Sequence, residues 1–546
     1  MTDEELRLDI KAYIRYGGNK SEAARQRGLS RKSYCKRLEQ AERRFSIKLN
    51  HSAGGALEPV EIEARSLPEP GCVKRYIITS AQNDTKLHEE GWINLSCYAD
   101  WLDSLPNSSC EIIVGTYTYQ GNPASAKLQK QFCETEEGQW FAPELHPFIT
   151  NKRVELAPGL VFCGELNILP TTAYPLADLD TYNDHKSNIV PAAKLALRSV
   201  DSLPSEDVKM NYTTGTITQR NYIKARAGLI AEQYHSYGGL IVEVDCEGTW
   251  FVRQLQIDAS GRFFDAGPKG WGARVVRTGG ANFGAEAEAI TWGDIHAADM
   301  DRWVYNTAFG FGAMLDSLRP RYQFLHDVFS MRSGSHHESG NFHASYAKHA
   351  AKENSVEAEV KYTAELLNST TRDFSTSYIV ASNHDRHLDI WLNESSARKD
   401  LDNVKYHTIL QTAMLDMLDS GRKKVSLLEF ALRRAGLLNE IKFIKEDESF
   451  VICKQGKFKG IECGLHGDRG VSGSRGSTAS LAKLGRHINK GHDHTATILN
   501  YVYSAGACSQ TYHYQRGPTK SSISHIVTWP NGTRQIITMK KGKWRA

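Results

Sequence analysis

In the first fifty residues the apolar positions recur at helical spacing; beyond them they gather into short runs. Between Glu5 and Tyr16 they fall at Leu6, Ile10, Tyr13 and Ile14, the period of an amphipathic helix. Asn19 or Ser21 can cap a second, alanine-containing helix around Glu22-Ala23-Ala24-Arg25 by accepting from its free N–H groups. Gly28-Leu29 makes a turn, and Ser30 caps a third helix that continues to about Phe45. This order predicts a small all-α helix-turn-helix unit over 1–46. Arg31, Lys32, Lys36 and Arg37 then sit early on the third helix, where DNA contacts are made. The plain alternative is a helical hairpin used for self-association.

From 47 to 72 the pattern lapses into Ser52-Ala53-Gly54-Gly55 and Pro68-Glu69-Pro70-Gly71, the composition of a linker. Strand signals follow at Arg75–Thr79 and Glu111–Thr116, with an amphipathic helix from Trp92 to Leu105 between them. Residues 73–240 are expected to be an α/β region without a recognisable ligand cluster. Gly238–Val244 and Trp250–Gln254 read as a hairpin. A catalytic domain is expected over 241–515 and a basic β extension over 516–546.

Composition adds boundaries. A chain of 546 residues exceeds one core, and 40% hydrophobic with 24% charged residues is ordinary for a globular protein. No run of about 18 apolar residues predicts a membrane span. Met1-Thr2-Asp3-Glu4-Glu5 is acidic where a secretory signal would be basic and then apolar, so a cytoplasmic setting is expected. The ten cysteines form no CxxC pair, which fits reduced thiols. Net charge is +4 but uneven: +6 over 1–50 and +7 after Asp493, leaving an acidic middle. Basic ends around an acidic centre fit a metal site flanked by surfaces for a polyanion; charged ends that merely solvate the chain are the alternative.

The candidate chemistry lies where strand-like runs end. Glu288–Trp292 leads to Asp294-Ile295-His296, Tyr322–Leu325 to Asp327, Ser377–Ala381 to Asn383-His384-Asp385, Gly460–Leu465 to His466, and a last segment to Gly491-His492-Asp493-His494. Ligands collect at the carboxyl ends of strands in layered α/β folds. In extended chain residues i and i+2 face the same way, so Asp294 with His296, and His492 with His494, can each reach one ion. Oxygen and imidazole donors without thiolate suit Mn²⁺, Fe²⁺ or Zn²⁺. His336, His337, His343 and His349 read as ordinary surface or core histidines.

The order D-x-H, D, N-H-D, H, G-H-x-H resembles the calcineurin-like metallophosphoesterase superfamily, over about 290 to 515. That resemblance implies a β-sandwich flanked by helices. It also implies two divalent cations, Mn²⁺ foremost with Fe²⁺, Zn²⁺ or Mg²⁺ compatible. Asp294, His296 and His494 would hold one ion and Asn383, His466 and His492 the other, with Asp327 bridging. Hydroxide between the ions would attack phosphorus, His384 would serve the leaving oxygen, and Asp385 would orient His384. The second and third motifs lack the family's glycine: His326 precedes Asp327 and Ser382 precedes Asn383. His326 is a rival to Asp327, but a bridge between cations calls for a carboxylate.

Glycines from Gly467 to Gly476 precede a helical stretch from Thr478, so Arg469 and Arg475 are candidate phosphate contacts. With the helix-turn-helix, the pattern resembles the nuclease branch of the superfamily, including the early-expressed deoxyribonucleases of T5-like bacteriophages. The expected activity is a two-metal phosphodiesterase acting on DNA. Two alternatives stand beside it: a phosphatase or phosphodiesterase of small molecules, and a DNA-binding regulator that kept the fold. DNA is the expected partner, with no membrane and with homo-oligomerisation left open.

Overall fold

The computed structural model describes residues 2–15, 20–45, 62–119, 140–334, 341–394, 400–421, 426–510, 512, 515 and 517–546. The chain divides into two compact units, Met1–Ile62 and Glu63–Ala546. Large sheets flanked by helices make up the second, so the protein is α/β with a helical N-terminal region. No helix among the described residues is long and apolar enough to cross a membrane.

In the N-terminal unit three helices, Asp3–Arg15, Lys20–Gln26 and Arg31–Phe45, enclose Tyr13, Ala23, Ala24, Tyr34 and Leu38. Ser30 starts the third by accepting from the Ser33 N–H, and Gly28 (φ +66°) makes the preceding turn. Asp9 is fully buried and receives Nε of both Arg27 (2.8 Å) and Arg37 (2.6 Å). Arg37 therefore differs from the expectation that set it on a DNA-facing surface: its guanidinium neutralises a buried carboxylate. Arg31, Lys32 and Lys36 are exposed. The expected linker lies outside the described residues up to position 61.

The centre of the second unit is a sandwich. One sheet has six strands in the order Lys442–Ile444, Thr376–Val380, Tyr322–Leu325, Ala289–Thr291, Ser524–Thr528 and Arg534–Thr538. Its first four are parallel, and the last two form an antiparallel hairpin against Ala289–Thr291. A longer sheet faces it and includes Ile461–Glu462, His487–Lys490, Val502–Ser504 and Thr497–Leu499 as successive neighbours. Ala289, Phe324, Val380 and Ile444 of the first sheet pack on Ile452, Ile461 and Cys463 of the second. The outer face of the six-stranded sheet is covered by helices through residues such as Val304, Leu315, Val360, Leu367, Trp391 and Leu428. Fully buried strands of this kind read as apolar runs without alternation.

The region expected as a separate α/β part, 73–240, is joined to this core. Leu197–Val200 pairs antiparallel with Thr497–Leu499, so the strands from Arg153 to Thr213 continue the longer sheet. The boundary expected at 240/241 falls inside the strand Gly238–Val244, which pairs with Val73–Gln82 and Trp250–Gln256. On that four-stranded sheet the buried Arg253 bridges Glu243 (2.8 Å) and Asp265 (2.9 Å), and Arg75 adds a second bond to Glu243 (3.0 Å).

Residues 517–546 are also part of the core, supplying its last two strands, and four of their cations turn toward the fold. Arg534 is buried among backbone carbonyls, Lys540 Nζ lies 3.0 Å from the Trp250 ring centroid, Lys543 pairs with Asp245, and Arg545 donates to Gly267 O and Ser317 Oγ. These four do not stand as a surface for a polyanion: Arg534, Lys543 and Arg545 bond acceptors of the fold itself, and Lys540 rests on the Trp250 ring.

Candidate metal centre

All seven residues proposed as ligands meet at one end of the sandwich. Asp294 and His296 leave the strand Ala289–Thr291, Asp327 leaves Tyr322–Leu325, and Asn383 leaves Thr376–Val380. From the opposite sheet His466 follows Ile461–Glu462, while His492 and His494 follow His487–Lys490. Chain direction explains the convergence: the strands carrying Asp294, Asp327 and Asn383 run parallel, as do those carrying His466 and His492, so each set of loops emerges at one edge.

Asp294, His296, Asp327 and His494 are buried and offer ligand atoms within 4.8 Å of one another, a group that could hold a metal ion. His494 Nε2 is 3.0 Å from Asp294 Oδ2, and Asp327 Oδ2 lies 3.7 Å from His296 Nε2 and 3.2 Å from His466 Nε2. Beside them Asn383 Oδ1 is 3.0 Å from His466 Nε2 and 3.1 Å from His492 Nδ1. Asp327 thus stands between the two sets of donors. Asp294 Oδ1 is buried without a hydrogen-bond donor, and Asp327 Oδ2 meets only the imidazoles of His466 and His296. Desolvated carboxylate oxygens are costly unless a cation or donor satisfies them, so the donor set fits a divalent ion.

Without a bound ion, the carboxylates of the cluster are charged and its imidazoles divide between neutral His296 and protonated His466, which must lose its proton to ligate. Burial raises the Asp294 carboxyl, but the bond with His494 and the charges of His466 and His494 together hold it at about 2. Burial likewise opposes the Asp327 charge, and His466 and His384 keep it well below the usual carboxylate range. Burial pushes His296 down to about 3, a neutral ring ready to ligate. At His466 burial disfavours charge, yet Asp327 outweighs it and lifts the imidazole to about 9.

The backbone is strained where it presents these groups. His296 (φ +42°), Asp327 (+45°), His492 (+75°) and His494 (+54°) all occupy the left-handed region, at about 1–3 kcal/mol each for residues other than glycine. Gly491 is needed for a different reason: an added Cβ would lie 2.2 Å from Asp294 Oδ1.

Around the ligands, His326 stacks on His466 (5.4 Å, 30°), with its Nδ1 3.3 Å from that ring's Nδ1. It supports a ligand where sequence offered it as a rival to Asp327. His384 donates its N–H to Asp327 Oδ1 and sets its ring edge-on to His296 at 4.5 Å. Asp385 departs from the expectation. Its carboxylate accepts from the Phe329 N–H and faces a second cavity, of about 630 Å³, so it steadies the loop after Asp327 while His384 lines the first. Burial, then the Asp327 charge, pushes the Asp385 carboxyl up to about 7. Asp493 turns to Lys490 and Thr478, as the i, i+2 argument requires. Tyr512, which no motif flags, donates to Asp294 O and packs 4.6 Å from both His296 and His494.

The cluster opens into a cavity of about 840 Å³. Asp327, Asn383, His384, His492 and His494 line its floor, and Arg475 and Lys520 stand on its rim. Its far wall comes from Tyr174–Ala177 and Ala196–Ser199, in the region that carries no motif. Arg469 does not line this cavity: it pairs with Glu446 at 3.0 Å. His343 and His349 are exposed, and His336 and His337 lie outside the described residues.

Fold and site together define an α/β protein with a buried aspartate–histidine cluster able to hold a metal ion. The chain is 36% identical over 487 residues, 87% of its length and 83% of the relative's, to Protein A1 of Escherichia phage T5. It belongs to the family of that phage protein. No family model matches the chain, and no solved structure matches it.

Proposed function

We propose that this protein is a metal-dependent phosphodiesterase that cleaves DNA. The observation that carries the proposal is the meeting of seven oxygen and imidazole donors from both sheets of the sandwich, four of which, Asp327, Asn383, His492 and His494, open onto one cavity. Asp294, His296 and His494 would hold one cation, Asn383, His466 and His492 a second, and Asp327 would serve both. Bound divalent ions, Mn²⁺ foremost, supply Lewis-acid stabilisation of a phosphodiester and lower the pKa of water.

The chain's own groups do the rest. Arg475 and Lys520 on the rim bind non-scissile phosphates. The apolar wall of Leu176, Ile498 and Leu499 limits water around the phosphate. His384, beside the donors and facing the cavity, delivers a proton to the leaving oxygen. Arg31, Lys32 and Lys36 on the third helix supply contacts to the DNA backbone.

The test is cleavage of supercoiled plasmid by the full chain with Mn²⁺, with Mg²⁺ and with EDTA, beside the Asp327→Ala variant. Metal-dependent nicking that the variant lacks is expected. Undiminished cleavage in EDTA, or by the variant, overturns the proposal. Hydrolysis of a small aryl phosphodiester with no action on plasmid overturns DNA as the substrate.

A further inference from the structure

The cavity above the metal cluster is larger and more apolar than a phosphodiester alone requires. At about 840 Å³ it falls in the range of pockets that enclose a whole small molecule. Asp327 and His494 on its floor are only 1% and 8% exposed, so a phosphorus atom meets them after entering the cavity rather than by touching a surface. Arg475 and Lys520 on the rim serve charge. They do not account for the facing wall, where Leu176, Ala177, Ala196, Leu197 and Ile498 gather.

That wall comes largely from the region without a motif, and its shape is fixed from behind. Leu176 and Ala196 pack into a small apolar cluster with Leu179 and Val190. Ala173 O accepts from Lys194 Nζ at 2.7 Å, and Tyr174 O accepts from the Ala177 N–H at 3.1 Å, which closes the turn carrying Tyr174. Packing explains Leu176 and Ala196. It does not explain Tyr174, whose ring lines the cavity, is 61% exposed and stacks on no other ring among the described residues.

The hydroxyls of the same lining are already in use. Ser199 donates to Ala496 O, Thr478 to Asp493 Oδ2 and Thr495 to Asp493 O. An apolar face beside an open aromatic ring, with its hydroxyl hydrogens turned into the fold, suits the face of a nucleobase. It offers little to the edge of the base, where identity is read.

We propose that this wall is a nucleoside subsite of the metal centre, in which the base of one nucleotide next to the scissile phosphate lies on Ala177, Ala196 and Ile498 and stacks on Tyr174. The proposal rests on the DNA-cleaving reading and adds what the DNA must present. A base within a duplex is paired at its edge and stacked on both faces, so it has to leave the helix to reach the wall. That cost is least where the base is already unpaired. The favoured cleavage point is therefore an unpaired nucleotide, of any base.

Cleavage of end-labelled single-stranded oligonucleotides by the full chain with Mn²⁺ tests it, one strand carrying a single abasic nucleotide. One of the two linkages flanking the abasic nucleotide should be cut about tenfold more slowly than the same linkage in the intact strand. Tyr174→Ala, at an exposed position, should slow the intact linkages to about that lower rate, with unchanged circular dichroism and unchanged Mn²⁺ affinity. Tyr174→Phe should restore the rate, because stacking needs the ring and not the hydroxyl. A relaxed, covalently closed circular duplex should be cut at least about tenfold more slowly than its negatively supercoiled form, whose strands open more readily. Equal cutting of abasic and intact linkages, a Tyr174→Ala variant as fast as wild type, or a relaxed circle cut as fast as the supercoiled one overturns this proposal and leaves the nuclease reading standing. Inertness toward every DNA overturns the nuclease reading, and the subsite with it.

Discussion

Gly491→Ala adds a single methyl group at the most crowded point of the metal cluster. The new Cβ would lie 2.2 Å from Asp294 Oδ1 and 3.0 Å from His326 Cβ. Non-bonded heavy atoms settle at about 3.5 Å or more, so relief requires a shift of roughly 1 Å. The shift falls on one particular oxygen. Asp294 Oδ2 is held by the His492 N–H at 2.8 Å and by His494 Nε2 at 3.0 Å, whereas Oδ1 has no donor and is free to face an ion. The methyl therefore displaces the oxygen that a metal needs. A misplacement of about 1 Å is worth about 100-fold in rate, and overpacking of this size destabilises by about 1–3 kcal/mol. Three assays read it: Mn²⁺ titration followed calorimetrically, initial rates on supercoiled plasmid, and urea denaturation. The control is Gly284→Ala, where the added Cβ meets nothing within 4 Å and φ is ordinary. Weaker Mn²⁺ binding and a drop of about 100-fold in rate are expected for Gly491→Ala alone. Wild-type affinity and turnover would refute both the close approach and the role given to Asp294 Oδ1.

Four further outcomes are expected. His384→Ala should keep bound metal, measured by elemental analysis, and lose about 100- to 10,000-fold in cleavage rate. Replacing Arg31, Lys32 and Lys36 together by alanine should lower the salt slope of DNA binding by up to about 3 units, with hydrolysis of a small aryl phosphodiester unchanged. Asp9→Ala should destabilise the N-terminal unit by about 1–2 kcal/mol, discounted for the partial exposure of Arg27 and Arg37, seen as earlier urea unfolding of a 1–62 fragment. Arg253→Met should cost about 3–5 kcal/mol, since it leaves Glu243 and Asp265 buried beside fewer cations. Burial opposes both carboxylate charges, but Arg253 outweighs it and depresses both values. Their stabilisation is therefore complete above about pH 4.5 and is lost as pH falls through the depressed values. The variant's stability should depend less steeply on acid than the wild type's.

The residues of the aspartate–histidine cluster were legible in the sequence because each motif pairs a strand-like run with a polar donor at its buried end. The hairpin at Gly238–Val244 and Trp250–Gln256 and the helix around Trp92 were legible for the same reason, since local period decides them. Residues acting through long-range contacts were not. Arg37 looks like a surface cation until Asp9, 28 positions away, is found buried against it. Asp385 follows His384 in the chain, yet the turn sends its carboxylate to Phe329. Tyr512 joins the site only because its hydroxyl reaches the Asp294 carbonyl, for which no spacing rule exists. Seven basic residues after Asp493 give the same net charge whether they face solvent or fill the core, so composition alone could not place them.

The junction between Leu197–Val200 and Thr497–Leu499 limits how this protein can be taken apart, by an experimenter or by recombination. A fragment beginning at 241 would retain every ligand motif. It would also leave Thr497–Leu499 with a bare row of N–H and C=O groups on an apolar strand, an invitation to stray pairing and aggregation. The wall from Tyr174 to Ala177 would leave with the deleted segment, opening the cavity on one side. Inheritance of the motifs without the first half of the chain would thus transmit half a pocket, and the unit of exchange for this centre is the whole of 63–546.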